Sequence, residues 1–294
     1  MQTLKQLLSL IRFSHTIFAL PFALMSASIA WYREGEFRWW DLAGILCCMV
    51  FARSAAMAFN RLVDRKIDAD NPRTATRHLP AGTLQVGTVW LFFLLCAALF
   101  VLSTFIFSQR TSPNWWPFRL SGIVLVFICA YSVTKRFTYL AHFWLGVSLM
   151  LAPIAAWIAI RGLTDLLPPT LIGLAVCFWV AGFDMIYACQ DAEFDRKAKL
   201  NSIPARFGVA TSLRLAAASH LVMLVVLTCA WWVMPELKFI FLSGVIIIAL
   251  LLIVEHRLVK PNDLTKVNQA FFQVNSIISA GLLAIVLIQL ALPY

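Results

Sequence analysis

Nine apolar segments, each close to 20 residues long, recur along this chain of 294 residues. A helix needs about 20 mostly apolar residues to cross about 30 Å of hydrocarbon, so each segment is long enough to span a membrane. Lipid offers the backbone no hydrogen-bond partners, and spans without strict alternation therefore predict α-helices rather than barrel strands. The segments lie at roughly 13–32, 40–61, 86–107, 117–134, 139–160, 169–189, 212–233, 237–254 and 268–290.

The expected fold is an all-α membrane protein, a single bundle of nine transmembrane helices forming one domain over residues 1–294. The composition agrees with a membrane protein, because 61% of the residues are apolar and only 13% are charged. This charged share is about half that of a soluble protein. This excludes a water-soluble globule. The seven cysteines lie in or beside the spans without any C-x-x-C pair, so we interpret them as buried apolar residues rather than disulfides or metal ligands.

The net charge of +10 is spread over short loops, which favours membrane lipid and a small anionic ligand over nucleic acid as partners. Fifteen Lys and Arg residues lie at the N-terminus and after even-numbered spans, against six on the opposite side. Because basic residues accumulate on the cytoplasmic side, we expect a multi-pass protein of the cytoplasmic (inner) membrane with its N-terminus inside and its C-terminus outside.

Six of the nine aspartates fall in two clusters, after span two and at the end of span six. Asn60, Asp64 and Asp68 recur at i, i+4 and i+8, which places them on one helix face. Asp184, Asp191 and Asp195 follow at i, i+7 and i+11, also on one face. The clusters lie in or beside two longer loops, 62–85 and 190–211, four spans apart, which suggests a repeated four-helix unit.

Carboxylate pairs of this kind suit Mg²⁺, which takes one or two carboxylates, keeps waters and completes its octahedron with phosphate oxygens. A lone D-x-x-x-D is usually a solvated helix end. Two such pairs on the same predicted membrane face favour a site for a diphosphate. Arg65 and Arg77 flank the first cluster, where they either bind phosphate oxygens or simply follow the positive-inside rule.

Two further basic residues, Lys135 and Arg53, are candidate ligand contacts. Lys135 comes one turn after Tyr131 at the predicted cytoplasmic level. The pair either contacts the diphosphate or is a snorkelling lysine with an interfacial tyrosine. Arg53 lies inside span two, seven residues before Asn60, and needs a counter-charge, either Asp184 or an anionic group of a substrate. The five histidines are scattered without an i, i+4 pair, and we assign them no metal.

With these motifs, the chain resembles the UbiA superfamily of intramembrane aromatic prenyltransferases over essentially its whole length. The stretch N-R-L-V-D-R-K-I-D, followed by L-P-A-G, is similar to the family's first signature. The stretch D-A-E-F-D, followed by S-I-P-A-R-F-G, is similar to the second. One departure is Arg61, where many members carry Asp.

The resemblance implies that the two motifs hold Mg²⁺ and the diphosphate of a polyprenyl donor, through Asn60, Asp64, Asp68, Asp191 and Asp195. Tyr131 and Lys135 match an element that contacts the departing diphosphate, and with Asp191 they form the candidate catalytic set. Asn60, Lys135, Arg65 and Arg77 form the candidate diphosphate-binding set. Arg53 matches an arginine associated with the aromatic acid, and Asp184 joins it in the candidate acceptor site.

The implied reaction is Mg²⁺-dependent transfer of a polyprenyl group to a ring carbon of 4-hydroxybenzoate or dihydroxynaphthoate, in ubiquinone or menaquinone biosynthesis. The segment Y-A-C-Q-D-A-E-F-D also resembles the family's subgroup associated with menaquinone made through futalosine. The alternative is a secondary transporter of an anionic or lipid-like substrate, since transporters share many spans and intramembrane charges. Transporters place such charges near the midplane, whereas these carboxylates lie at one predicted edge.

Overall fold

The computed structural model describes residues 2–11 and 18–292, and the side chains of residues 2–5 lie outside that description. Within the described residues the regular structure is helical, apart from one isolated bridge between Lys260 and Asp263. The helices group into two compact units. The first unit contains α1 and α3 to α5, and the second contains α2 and α6 to α13.

Eight helices among the described residues are long and apolar enough to cross a membrane. They are Trp39–Asp70, Val86–Gln109, Trp116–Thr134, Ala141–Arg161, Leu167–Lys197, Val209–Val233, Phe239–Leu258 and Val267–Ala291. The first predicted span, 13–32, overlaps α2, of which 15 residues are described (Leu20–Glu34). Residues 13–17, like Arg12, lie outside the described residues, so the count of nine and the repeated unit stay predictions.

Large apolar side chains cover the surfaces of these helices. Ile123, Val126 and Trp232, for example, are 69%, 72% and 81% exposed. A water-soluble protein does not leave so much apolar surface uncovered. The chain is therefore an integral, multi-pass membrane protein, as the sequence predicts.

The first unit is organised around its longest helix, α3. It comprises α1 (Gln2–Leu10), α3 (Trp39–Asp70), α4 (Val86–Ser103, continued by a 3-10 turn at Thr104–Gln109) and α5 (Trp116–Thr134). Helix α3 packs against α4 and α5. Leu10 of α1 is buried against Ala58 and Leu62 of α3 and Val89 of α4, which fastens the first helix beside the acidic motif.

Span two is predicted to cross the membrane at 40–61, and the helix that forms it, α3, continues beyond residue 61 to Asp70. Its 32 residues correspond to about 48 Å at 1.5 Å per residue. This exceeds the hydrocarbon thickness of about 30 Å, so the helix extends beyond the bilayer by roughly three turns. The first acidic motif therefore lies on this helical extension, and the predicted loop 62–85 begins only after Asp70.

The second unit is organised around α7. Its long helices are α2 (Leu20–Glu34), α6 (Ala141–Arg161), α7 (Leu167–Ala188), α10 (Val209–Val233), α11 (Phe239–Leu258) and α13 (Asn275–Ala291). Helix α7 packs against α6 and α10. A Cβ added at Gly146 of α6 would lie 2.4 Å from the Cys177 carbonyl oxygen, so the close approach of α6 to α7 requires glycine there.

The predicted loop 190–211 is largely helical, which corrects the sequence interpretation. A 3-10 turn at Cys189–Asp191 follows α7, and the short helices α8 (Ala192–Lys197) and α9 (Ile203–Phe207) come next. The remaining short elements precede α13: α12 (Val267–Gln269) and a π turn (Ala270–Val274). Ser202 caps α9, because its hydroxyl accepts a hydrogen bond from the Ala205 N–H.

A buried polar network joins four helices of the second unit. The Trp179 Nε1–H donates to Asn275 Oδ1 at 2.6 Å, and Asn275 Nδ2 donates to Glu255 Oε1 at 2.8 Å. His220 Nδ1 lies 2.9 Å from His256 Nε2. Polar groups within a lipid-embedded bundle need such partners, because an unpaired one is costly in hydrocarbon.

Candidate active site

The first acidic motif contains an amide–carboxylate pair at its start. Asn60 Nδ2 donates a hydrogen bond to Asp64 Oδ2 at 2.8 Å. Both side chains are half-buried on α3, and their contact confirms that the i, i+4 spacing places them on one face. The hydrogen bond fixes the orientation of the Asn60 amide against the Asp64 carboxylate.

Asp68, one turn further along α3, is held by arginines. Arg77 Nη1 lies 2.7 Å from Asp68 Oδ1, and Arg61 Nη1 lies 3.7 Å from Asp68 Oδ2. Thr74 Oγ1 also donates to the Asp68 backbone carbonyl. The structure therefore brings together a predicted metal ligand, Asp68, and a predicted diphosphate contact, Arg77.

Arg61, the departure from the family pattern, is buried within the first unit. Its guanidinium donates to Asn60 Oδ1 at 3.3 Å and to the Leu10 carbonyl at 3.5 Å. A cation thus lies against the acidic motif at the position where many family members carry a carboxylate. Its positive charge offsets the repulsion between the aspartates of α3.

An open pocket adjoins this arginine on the surface of the first unit. Arg61, Arg73, Arg77 and His78 supply its basic lining, beside Ser9 of α1. Arg65 does not line the pocket; its exposed guanidinium donates instead to the Leu62 carbonyl at 2.9 Å. Of the two arginines in the predicted diphosphate-binding set, Arg77 thus lies in a basic pocket and Arg65 does not.

Arg53 lies two helical turns before Asn60, about 10 Å deeper along α3. Its Nε atom is buried and has no hydrogen-bond partner among the residues that the structure describes. A buried guanidinium N–H without a partner is costly. The position is therefore suited to an anionic ligand.

The second acidic motif lies in the second unit, on the 3-10 turn and α8. Asp195 is buried, with only 4% of its surface exposed. It is hydrogen-bonded to Ser202 and interacts electrostatically with Lys135, His142 and Asp191. The structure thus brings three predicted site residues, Lys135, Asp191 and Asp195, into one neighbourhood.

The loop that carries Lys135 is tied to the second motif through the backbone. Lys135 directly follows α5, which carries Tyr131 in its last turn. The Asn201 N–H donates to the Lys135 carbonyl at 2.7 Å. The loop after α5 and the segment that leads into α9 are therefore held together.

His142 is the residue that sequence reasoning missed. Its Nδ1 lies 2.7 Å from Asp184 Oδ2, and its Nε2 accepts from the Ile203 N–H at 3.4 Å. The partner of Asp184 is thus a histidine, not Arg53 as one sequence interpretation allowed. The two residues are 42 positions apart, and no local spacing signals their contact.

The donor chemistry of both motifs fits Mg²⁺. No group of three or more His, Cys, Asp and Glu side chains forms a metal cage within the described residues. Each motif instead offers oxygen donors, from Asn60 and Asp64 in one unit and from Asp191 and Asp195 in the other. Mg²⁺ is typically bound by one or two carboxylates, and waters and substrate phosphates complete its coordination. Each motif supplies the carboxylate part of such a site.

Comparison with known proteins agrees with the motifs. The sequence pattern of the UbiA prenyltransferase family matches residues 19–277. A 4-hydroxybenzoate octaprenyltransferase from Aliivibrio fischeri is 32% identical over 196 residues, covering 64% of this chain. The match spans 65% of that relative's length, slightly less than two thirds.

Two solved structures share the fold. The apo structure of a UbiA homologue from Aeropyrum pernix K1 superposes with a TM-score of 0.82 at 30% identity, covering 93% of this chain and 97% of that one. A UbiA homologue from Archaeoglobus fulgidus bound to DMAPP and Mg²⁺ gives a TM-score of 0.74 at 20% identity, covering 98% and 100%. With the family pattern matching from residue 19 to residue 277, the chain belongs to the UbiA prenyltransferase family.

Proposed function

We propose that this protein transfers a polyprenyl group from a polyprenyl diphosphate to a ring carbon of a hydroxylated aromatic acid, with Mg²⁺ as cofactor. The product would be a precursor of ubiquinone or menaquinone. The observation that carries the proposal is the Asn60–Asp64 pair on α3, beside a pocket lined by arginines. Oxygen ligands for a hard cation and donors for phosphate oxygens thus occur side by side in one unit.

The relatives support the donor and the cofactor. The Aliivibrio fischeri relative is named for octaprenyl transfer to 4-hydroxybenzoate, and the Archaeoglobus fulgidus homologue was solved with DMAPP and Mg²⁺. We therefore assign the Mg²⁺ ligands to Asn60, Asp64, Asp191 and Asp195. The family resemblance also implies that Asp68 is a Mg²⁺ ligand. Because Asp68 pairs with Arg77, we propose that its main role is to orient the Arg77 guanidinium.

The chain's basic residues would stabilise the departing diphosphate. Bound Mg²⁺ would neutralise part of the charge that develops on that leaving group. Lys135, near Asp195, and Arg77, in the basic pocket, would donate charge-assisted hydrogen bonds to its oxygens. Tyr131 stays in the proposed site because it matches the family's element, and Arg65 stays in it because it flanks the first acidic motif.

The electron pair for the new bond comes from the aromatic ring. The allylic C–O bond of the donor breaks with its electron pair on the diphosphate, and a ring carbon beside the hydroxyl supplies the pair for the new C–C bond. The proton on that carbon is then lost as the ring becomes aromatic again. The apolar helices would hold the polyprenyl tail and keep water from the allylic cation.

Arg53 and Asp184 are each proposed to bind the aromatic acceptor. The buried Arg53 guanidinium, with its Nε lacking a partner among the described residues, suits the carboxylate of the aromatic acid. Hydroxybenzoate and dihydroxynaphthoate both carry such a carboxylate next to hydroxylated ring carbons. We further propose that residues 1–294 act as one domain in the cytoplasmic membrane, with the acidic motifs on the cytoplasmic side.

Mass analysis of the product tests this function. Purified protein would be incubated with Mg²⁺, a polyprenyl diphosphate and either 4-hydroxybenzoate or dihydroxynaphthoate. We expect a product heavier than one acid by the prenyl group minus one hydrogen. The proposed function is wrong if neither acid is prenylated while the protein is folded and binds the diphosphate.

A further inference from the structure

His142 and Asp184 form a pair that the reaction as described so far does not explain. His142 is the second residue of α6, and Asp184 lies in the last turns of α7. The His142 side chain is 5% exposed, whereas that of Asp184 is 16% exposed. The imidazole is thus enclosed, and the carboxylate remains accessible at one side.

The contacts of His142 define its tautomer. A backbone N–H can only donate, so the Ile203 N–H at 3.4 Å requires Nε2 to accept. In the neutral ring the proton is then on Nδ1, which donates to Asp184 Oδ2 at 2.7 Å. The ring is held from both sides and can present only this donor to Asp184.

The pair also lies next to the second acidic motif. His142 interacts electrostatically with Asp195, and Asp184 precedes Asp191 by seven residues on the same chain segment. Among the described residues, His142 is the hydrogen-bond partner found for Asp184. One oxygen of Asp184 is thereby fixed by the protein, and the other is left for a ligand.

We propose that Asp184 accepts a hydrogen bond from the ring hydroxyl of the aromatic acceptor, and that His142 is the positioning residue that holds the carboxylate for it. This inference rests on the proposed function. As the ring carbon attacks, positive charge develops on the ring and its hydroxyl oxygen. A carboxylate that accepts from this hydroxyl binds the transition state more tightly than the ground state.

The chemistry of the two side chains selects the acceptor. A phenol can donate to Asp184, whereas its methyl ether cannot and would leave the carboxylate facing an ether oxygen. The pair should therefore favour hydroxylated rings over methoxylated rings of the same shape. Arg53 is proposed to bind the carboxylate of the acceptor, so it would not affect the preference for the hydroxyl group.

The test compares 4-hydroxybenzoate with 4-methoxybenzoate in wild type and in three variants. Asn can present an amide N–H where Nδ1 stood, so His142→Asn should keep most of the turnover. His142→Phe and Asp184→Ala should each lower turnover of 4-hydroxybenzoate at least tenfold and reduce the preference for it over the ether. The KM for the polyprenyl diphosphate should stay unchanged.

His220→Asn is the matched control, because this histidine is buried in the same unit and bonded to His256. It should reduce thermal stability without altering the hydroxyl preference. The inference is overturned if His142→Phe and His142→Asn behave alike, or if Asp184→Ala keeps the wild-type preference. A folded wild type that prenylates neither compound nor dihydroxynaphthoate would overturn the proposed function itself, and this inference with it.

Discussion

Arg77 Nη1 lies 2.7 Å from Asp68 Oδ1 across nine residues of chain, and joins the end of α3 to the turn segment that follows it. Both side chains are largely buried, at 21% and 9% exposure. The last carboxylate of the first motif is therefore neutralised by a cation of the chain itself. This pairing stabilises the fold and also shapes the basic pocket.

Arg77→Ala should lower the free energy of unfolding by about 2 kcal/mol, because the buried Asp68 carboxylate would keep only the more distant Arg61 as a cationic partner. This value is smaller than that for a fully buried ion pair, because solvent partly screens Arg77. Thermal unfolding in detergent measures the change. Lys66→Ala, which removes an exposed basic residue of α3 two positions before Asp68, is the control. Adding Asp68→Asn should recover part of the loss, and an unchanged midpoint for Arg77→Ala would argue against the pair.

The contrast between the two acidic motifs shows what local sequence can predict. The i, i+4 spacing of Asn60 and Asp64 gives their contact directly, because an uninterrupted α-helix fixes which side chains are neighbours. The same reasoning applied to Asp184 and Asp191 crosses a 3-10 turn at Cys189–Asp191, which changes the helical phase. Periodicity alone does not reveal that interruption.

Side-chain contacts between different helices could not be predicted from the sequence. His142 meets Asp184, and His220 meets His256, over separations of 42 and 36 residues. Each histidine is isolated in its own segment, so a search for i, i+4 pairs assigns it no role. The packing of α6 against α7 brings His142 to Asp184, and the packing of α10 against α11 brings His220 to His256. Helix packing depends on shapes that a single sequence does not display.

Arg53→Ala should raise the KM for the aromatic acid roughly ten- to a hundredfold, since a charge-assisted hydrogen bond contributes about 1.5–3 kcal/mol. The KM for the polyprenyl diphosphate should change little. Arg53→Lys, which keeps the charge but not the planar fork, should give an intermediate value. If both KM values stay at wild-type levels and only stability changes, Arg53 has a structural role and does not bind the acceptor.

Lys135→Ala should slow turnover more than it weakens Mg²⁺ binding, because an ammonium beside the diphosphate contributes most when the leaving group carries its full charge. Titration with Mg²⁺ and single-turnover rates separate the two effects. The neighbouring exposed Arg136 provides the control variant, Arg136→Ala. An unchanged rate with a raised Mg²⁺ requirement would assign Lys135 to the metal site instead.

Orientation in the membrane can be tested by labelling cysteines. In a variant with Cys229→Ser, Asp70→Cys and Ser112→Cys would be introduced one at a time at exposed positions. From the distribution of Lys and Arg, we expect an impermeant maleimide added to intact spheroplasts to label position 112. Position 70 should react only after permeabilisation. Labelling of position 70 in intact cells would reverse the proposed topology.

The most direct test of the acidic motifs is the Mg²⁺ dependence of diphosphate release during prenyl transfer. We predict no release in EDTA, recovery on adding Mg²⁺, and at least a hundredfold lower turnover for Asp64→Asn and for Asp191→Asn, because each loses a metal-binding carboxylate. Asp70→Asn and Glu193→Gln, which change exposed carboxylates close to each motif, should retain wild-type turnover. Full turnover in EDTA, or equal losses in these control variants, would contradict the account.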